Sequence, residues 1–381
     1  MSVESSTLKT LVVKPILACT AACGHCNSRR SLHRSLRSER SLSLEDWRAV
    51  LRDGRSLGAT HLALSGGEPT LYKQLPELVA EGARLGYYVQ LNTNGSLINR
   101  RYAEALVEAG LNQTWISIYS HRPEVHDAIR GVRGLWEKAC EAVRIFSQLR
   151  ERKPEFNVFT QSVILRENIR SLDELIRCHH DLGSGALHLS YLEGDFEKTL
   201  LLTEDDIRHF RKEVLPRVVQ VCEGLNRGIR RSAIKTASTI YHPDLGSPHD
   251  FARGVYRQTR SCVEPPTLIL ANGRVLPCCI GEYSHDVLMG NLLESTLTEL
   301  WRSETWTNFR NDLHEFCKLC ALPLHLDIPL RESDPKKTIT QRICDRLQLA
   351  SLANVQLKLR VLGQRRRAKV TERKPSDRGP E

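Results

Sequence analysis

No apolar run in this 381-residue chain approaches the roughly 20 residues that a membrane-spanning helix needs, so a helical span is excluded. The N-terminal stretch MSVESSTLKTLVVKPIL lacks the basic flank and long apolar core of a signal peptide, and a cytoplasmic location is expected. No tandem repeat of fixed period runs through the chain. Against these absences stand twelve cysteines, many for a reducing compartment. Disulfides suit small secreted domains, not a long chain without an export signal, so metal binding is the better explanation. Hydrophobic residues at 40% and charged residues at 26% are ordinary for a soluble protein, and the length allows two or three domains.

The net charge of +10 is uneven. Residues 356–381 hold nine Lys/Arg against three acids and read as a solvated, partly disordered tail. Residues 28–42 hold Arg29, Arg30, Arg34, Arg37 and Arg40 against one acid. This second stretch is either a solvated basic loop or a site for phosphate or another anion.

Short apolar runs alternate with amphipathic segments through the first half. Strands are expected at 10–17, 61–65, 87–92, 114–120, 156–164 and 186–192, with helices such as SLEDWRAVLRDGRSLG and LPELVAEGARLG between them, each closing on a glycine. That alternation predicts parallel strands with right-handed crossovers. Six strands are too few for a closed eight-stranded barrel, so the fold class is α/β, an open partial (β/α)6 barrel with a small cysteine-rich C-terminal domain. The expected divisions are a core at 1–196, a helical linker at 197–260 with a Pro-marked break, a cysteine-bearing domain at 261–325 and the basic extension at 326–381. LILANGRVLP reads as a hairpin turning at Asn272-Gly273.

Chemistry concentrates directly after the first strand, at Cys19-x3-Cys23-x2-Cys26. Thiolates are soft ligands for iron–sulfur clusters or zinc. Three of them can cap three irons of a four-iron cluster and leave the fourth open; with His25 they could instead complete a zinc site. After the second strand comes Ser65-Gly66-Gly67-Glu68-Pro69. Adjacent glycines let backbone approach a ligand closely, and a carboxylate there can receive an ammonium group. The C-terminal ends of barrel strands are where active sites sit.

With these two motifs one strand apart, the chain resembles the radical S-adenosylmethionine (SAM) superfamily over roughly residues 10–325. The resemblance implies that Cys19, Cys23 and Cys26 hold a 4Fe-4S cluster whose free iron chelates SAM, while Gly66, Gly67 and Glu68 contact the SAM amino group. His25 stands where the family usually has another aromatic residue, and imidazole can still stack on adenine. NTNG (92–95) and ISIYSHRPEVHDAIRGVRG (116–134) resemble later family segments. They make Ser117 and Arg130 candidates for the methionine carboxylate, against blander readings as a satisfied strand hydroxyl and a surface helix charge. Leu192 resembles a position whose backbone meets adenine.

Cys262, Gly273 and Cys278, followed by Cys317-x2-Cys320, resemble the auxiliary-cluster region called SPASM in its shortened, Twitch form. One auxiliary 4Fe-4S cluster on Cys262, Cys278, Cys317 and Cys320 is implied, with Cys279 an alternative to Cys278 and a four-cysteine zinc site the competing possibility. Cys140, Cys178, Cys222 and Cys344 lack ligand spacing and read as buried small hydrophobes.

The resemblance implies reductive cleavage of SAM, hydrogen abstraction from a substrate, and an electron donor such as flavodoxin or ferredoxin. A nucleic-acid partner is not expected. The substrate is expected to be a small polar metabolite, because the first strand starts about ten residues in and leaves no room for a preceding peptide-recognition domain. Modification of a ribosomally made peptide is the alternative, and a non-catalytic metal-binding protein a third possibility.

Overall fold

Every expected strand forms, and each is short enough to be paired along its whole length. In a computed structural model, β1 (Thr10–Lys14), β2 (His61–Leu64), β3 (Tyr88–Thr93), β4 (Gln113–Ser117), β5 (Asn157–Val163) and β6 (Ala186–Ser190) lie side by side in chain order, all parallel. The structure describes residues 7–26, 40–190, 202–231, 233, 266–278 and 288–311. All belong to one compact unit, Met1–Asp327; the second unit, Ile328–Glu381, lies outside the described residues.

The period-two pattern of each strand decides which face meets the helices. Leu11, Val13, Leu62, Leu64, Val89, Leu91, Ile116 and Val158 are buried in the main core. The alternate positions Gln90, Asn92, Trp115, Phe159 and Gln161 keep some solvent contact on the other face. Register brings Asn92 beside Trp115 and Trp115 beside Phe159. The Trp115 ring lies 4.9 Å from Phe159 and 5.9 Å from His188. The concave side is therefore polar near the strand ends and aromatic deeper down.

The helices that cover the convex side start and stop where local chemistry directs. α1 (Leu44–Ser56) opens on a full capping box: the Ser43 hydroxyl accepts from Asp46 N–H, and the Asp46 carboxylate accepts from Ser43 N–H at 2.8 Å. It buries Trp47, Val50 and Leu51 and ends two residues before Gly58, with Leu57 as its C-cap. α2 (Leu75–Arg84) ends likewise before Gly86. α3 (Arg100–Glu108), α4 (Pro123–Arg130), α5 (Leu135–Arg152) and α6 (Leu172–Asp181) continue the crossovers. After β6, α7 (Glu204–His209) runs through a π-helical turn, Phe210–Val214, into α8 (Leu215–Cys222). Pro216 supplies no N–H to the preceding turn, which widens the helix just before it. This is the expected Pro-marked break.

The Asn272-Gly273 hairpin forms between β7 (Thr267–Leu270) and β8 (Arg274–Leu276), with β9 (Gly290–Asn291) paired to β8. β7 also runs parallel to β1, from Leu11 opposite Thr267 to Lys14 opposite Leu270. The sheet thus has nine strands in the order β6-β5-β4-β3-β2-β1-β7-β8-β9. The segment expected to open a second domain continues the barrel sheet, because β1 offers an edge that a strand buried on both faces can take. Leu268 and Leu270 pack on Val12 and Leu17, whereas Ile269 and Val275 join the main core. α9 (Leu297–Arg302) and α10 (Glu304–Asn311) add Leu297, Trp306 and Phe309 to that core, and Thr298 N–H reaches Asp53 on α1. Cys140 and Cys222 are buried as expected, Cys178 is only half-buried, and Cys344 lies outside the described residues.

Removing the α1 cap tests the local reading. Ser43→Ala should lower stability by about 1 kcal/mol in chemical denaturation, since it takes away one acceptor for an otherwise unpaired helix N–H.

Candidate functional site

The C-terminal strand ends and the loops that follow them meet at one cavity of ≈ 260 Å³. Cys19, Cys23, His25, Cys26, Gly66, Gly67, Glu68, Ser117 and Arg130 all line it, so every expected core site residue within the described part converges there. Leu192, Cys262, Cys317 and Cys320 lie outside the described residues, as do Cys279 and Arg29, Arg30, Arg34 and Arg37. Cys278 is half-buried after β8, away from the cavity lining, and Arg40 is exposed.

Three contacts stitch down the cysteine loop. Gly67 N–H donates to the Ile16 carbonyl at 3.0 Å, Glu68 N–H to Ala18 at 2.8 Å, and Ala22 N–H to Arg130 at 2.8 Å. The two glycines make the first two possible. Gly66 takes a φ of 138°, and a Cβ there would lie 2.5 Å from the Ile16 oxygen. A Cβ on Gly67 would collide with the Leu17 and Ala18 carbonyls. The close approach these glycines permit is therefore to the cysteine loop itself.

Glu68 differs from its expected role. It is 1% exposed, and four donors already hold its carboxylate. Oε1 accepts from Thr70 N–H at 3.2 Å, from the Thr70 hydroxyl at 2.6 Å and from the Thr93 hydroxyl at 2.6 Å. Oε2 accepts from Asn94 N–H at 2.8 Å. One Oε2 lone pair is left over for an ammonium group. The carboxylate is first of all an internal cross-link between the β2 and β3 ends.

Arg130 is not a surface charge. It is 7% exposed, makes no ion pair among the described residues, and its Nε is buried without a hydrogen-bond partner. Its guanidinium lies 4.8 Å from the centre of the Tyr119 ring. Burial opposes its charge, but Cys23, Tyr119, Cys19 and Glu68 together hold its pKa above normal. An anion delivered to this cavity would meet it. Ser117 already accepts from Gln161 Nε2 at 3.2 Å, so its hydroxyl is satisfied in the protein and yet faces the cavity.

Tyr119, Thr93, Asn94 and Gln161 line the cavity too, and sequence motifs did not single them out as site residues. The Tyr119 ring, which also meets Arg130, sits 5.0 Å from the His25 ring. Behind it, Tyr119 N–H donates to His126 Nδ1 at 3.1 Å, and His179 Nε2 lies 2.9 Å from the Ser162 hydroxyl. Burial drives His25, His126 and His179 down to about 3, helped by the Arg130 charge at the first two and by His126 at the third. All three rings are neutral at pH 7.

Burial raises the Cys19 thiol, with the Ala21 N–H opposing it. Metal binding reverses this balance by fixing the thiolate. Among the described residues, no three His, Cys, Asp or Glu side chains converge on a single ion. A cluster that gives each thiolate its own iron needs no such common point. Three thiols around one cavity, a buried cation without a carboxylate, and glycines pressed beneath the loop fit a cluster and an anionic, amine-bearing cofactor.

A parallel partial barrel with such a centre at its strand ends is the architecture of an iron–sulfur radical enzyme. The radical SAM superfamily model matches residues 13–178, and the SPASM iron–sulfur cluster-binding domain model matches residues 262–321. A PqqA peptide cyclase from Gluconobacter oxydans is 28% identical over 309 residues, covering 79% of each chain. An AdoMet-dependent heme synthase from Nitratidesulfovibrio vulgaris is 24% identical over 333 residues, 83% of this chain and 85% of that one. Streptococcus suis SuiB bound to precursor peptide SuiA superposes with a TM-score of 0.59 at 17% identity, over 80% of this chain and 67% of that one. At that identity the likeness is one of fold. The chain belongs to the radical SAM superfamily and carries a SPASM domain; it is an enzyme that uses a 4Fe-4S cluster and SAM, with auxiliary iron–sulfur binding in the SPASM region.

Two outcomes test the site. Glu68→Ala should cost about 3 kcal/mol before any cofactor is added, because unpaired buried donors cost about 1–3 kcal/mol each. Glu68→Gln should lose less, and unchanged stability in both would refute the cross-link. The histidines predict acid sensitivity. His126 and His179 are fully buried, with folded pKa values of about 3 against an ordinary 6.5. The unfolded chain therefore binds more protons below pH 6.5, and stability present above that pH is lost as pH falls. These two groups contribute about 2.7 kcal/mol per pH unit to the slope as pH falls below about 6; His126→Gln should remove roughly half of that contribution in denaturation series.

Proposed function

We propose that Cys19, Cys23 and Cys26 ligate the SAM-cleaving cluster, that Gly66, Gly67, Ser117, Arg130 and His25 receive SAM, and that the substrate is a ribosomally made peptide. When bound, cluster and SAM supply a 5′-deoxyadenosyl radical, which can take hydrogen from an unactivated C–H bond. The chain's own residues do the rest. Arg130 pairs with the carboxylate, Glu68 offers its remaining Oε2 lone pair to the ammonium group, and the His25 and Tyr119 rings keep water from one wall. Cys262, Cys278, Cys317 and Cys320 are the proposed ligands of an auxiliary cluster, which could accept the substrate's electron. An external one-electron donor of the flavodoxin or ferredoxin type completes the proposal.

The peptide reading rests chiefly on the match to the PqqA peptide cyclase across 79% of both chains. The expectation of a small polar metabolite finds no support among these relatives. Arg130 is the one cationic side chain of the cavity lining among the described residues, and the proposal commits that charge to SAM. The heme synthase relatives make a tetrapyrrole the competing substrate.

No helix among the described residues is long and apolar enough to cross a membrane. The cytoplasm is the proposed setting, since oxygen-sensitive clusters and free thiols persist in reducing compartments.

Anaerobic reconstitution should give about eight irons per chain as two four-iron clusters. Replacing Cys19, Cys23 and Cys26 together with Ala should leave one cluster and abolish 5′-deoxyadenosine formation. Stoichiometric zinc with negligible iron would refute the cluster assignment. Incubated with deuterium-labelled lysate fractions of the source organism, the enzyme should carry deuterium into 5′-deoxyadenosine from the peptide fraction. Transfer only from the small-molecule or porphyrin fraction would overturn the substrate.

A further inference from the structure

The Asn92-Thr93-Asn94-Gly95 segment stands out in the sequence, yet nothing in the reaction so far uses its second asparagine. Asn94 follows β3 directly and is 3% exposed. The orientation of its side-chain amide is fixed by chemistry. Ser96 N–H lies 2.9 Å from Asn94 Oδ1, and a backbone N–H can only donate, so the oxygen must face it.

The amide nitrogen then points at the cysteine loop. Asn94 Nδ2 lies 2.9 Å from Thr20 Oγ1 and 3.8 Å from Cys19 Sγ, so its two hydrogens have two acceptors. Thr20, having accepted from Asn94, is free to donate to the Ser96 hydroxyl at 2.7 Å, which closes a cycle of polar contacts through Asn94, Thr20 and Ser96 beside the sulfur. The same sulfur accepts from Ala21 N–H at 3.4 Å. From behind, Glu68 Oε2 holds the Asn94 backbone N–H. A buried carboxylate thus anchors the residue whose side chain touches the first cysteine.

We propose that Asn94 positions Cys19 and tunes the cluster: its amide N–H donates to the Cys19 sulfur and raises the reduction potential of the cluster that this sulfur holds. The proposal rests on Cys19, Cys23 and Cys26 being the cluster ligands. One-electron reduction places more negative charge on the thiolate sulfurs, so a donor aimed at one of them stabilises the reduced state more than the oxidised one. Asn94 is buried and Cys19 exposed, so the donor end of the contact is shielded from water while the sulfur end meets it.

The test uses the full chain reconstituted with iron and sulfide, titrated electrochemically without turnover. The EPR signal to follow is the one that added SAM perturbs, which separates this cluster from an auxiliary one. Asn94→Asp keeps the size and the acceptor for Ser96 N–H but replaces the donor with a carboxylate oxygen. Asn94→Ala removes both. Both variants should bind as much iron as the parent and be harder to reduce. The reduced-to-oxidised ratio at fixed potential should fall about tenfold, equal to about 59 mV for a one-electron couple. Asp should shift it at least as far as Ala. Full iron with an unchanged potential in both variants overturns the proposal. If neither variant loads iron although both fold normally by circular dichroism, Asn94 only holds the loop, and the tuning role is likewise overturned. Failure of the ligand assignment shows separately, as a SAM-perturbed EPR signal and the full iron content surviving in the triple cysteine variant.

Discussion

Four hydrogen bonds into one buried carboxylate hold the centre of this protein together. Glu68 ties the turn after β2 to Thr93 and Asn94 at the end of β3, while its own N–H is fixed to Ala18 in the cysteine loop. Three chain segments that share no local sequence are thereby locked within a few ångströms of the cavity. The arrangement is tight enough that Gly66 and Gly67 have no room for side chains. Burying an ionised group is costly unless its lone pairs are filled, and here at least three of them are.

The same economy of polar groups runs around the cavity. Arg130 carries the positive charge, and the Tyr119 face, the cysteine sulfurs and the more distant Glu68 stabilise it without a direct ion pair among the described residues. Histidines that might have repelled it are kept neutral by burial. A carboxylate paired directly with Arg130 would neutralise it before a ligand arrived. The cavity's selectivity for an anionic, amine-bearing cofactor follows from what has been left unpaired.

Much of the frame was legible in the sequence. Period-two strands and glycine-stopped helices gave six strand positions within a few residues, because backbone pairing and local caps act over short distances. The C-x3-C-x2-C and GGEP motifs placed the site because strand ends in a parallel barrel all point the same way. The hairpin at Asn272-Gly273 was equally readable, but its pairing with β1 was not, since nothing in Thr267–Leu270 names the strand it will join. The expectation of a small-metabolite substrate found no support for another reason. It leaned on where the first strand begins and on an arginine-rich stretch, and neither describes the shape or chemistry of a pocket.

By itself, then, the sequence determined the class of chemistry: three thiols at fixed spacing after a strand, glycines after the next, and a fold that brings strand ends together. Only the tertiary structure decided what each group does there. Glu68 became a cross-link because Thr93 and Asn94, 25 and 26 residues away, arrive with donors. Arg130 became a buried cation because α4 ends against the cysteine loop, where Gly131 leaves no space for a Cβ beside Ala22. Asn94 reached Cys19 across 75 residues of chain. Local patterns encode which backbone elements form, whereas partners across such distances are chosen by packing, and packing exists only in three dimensions.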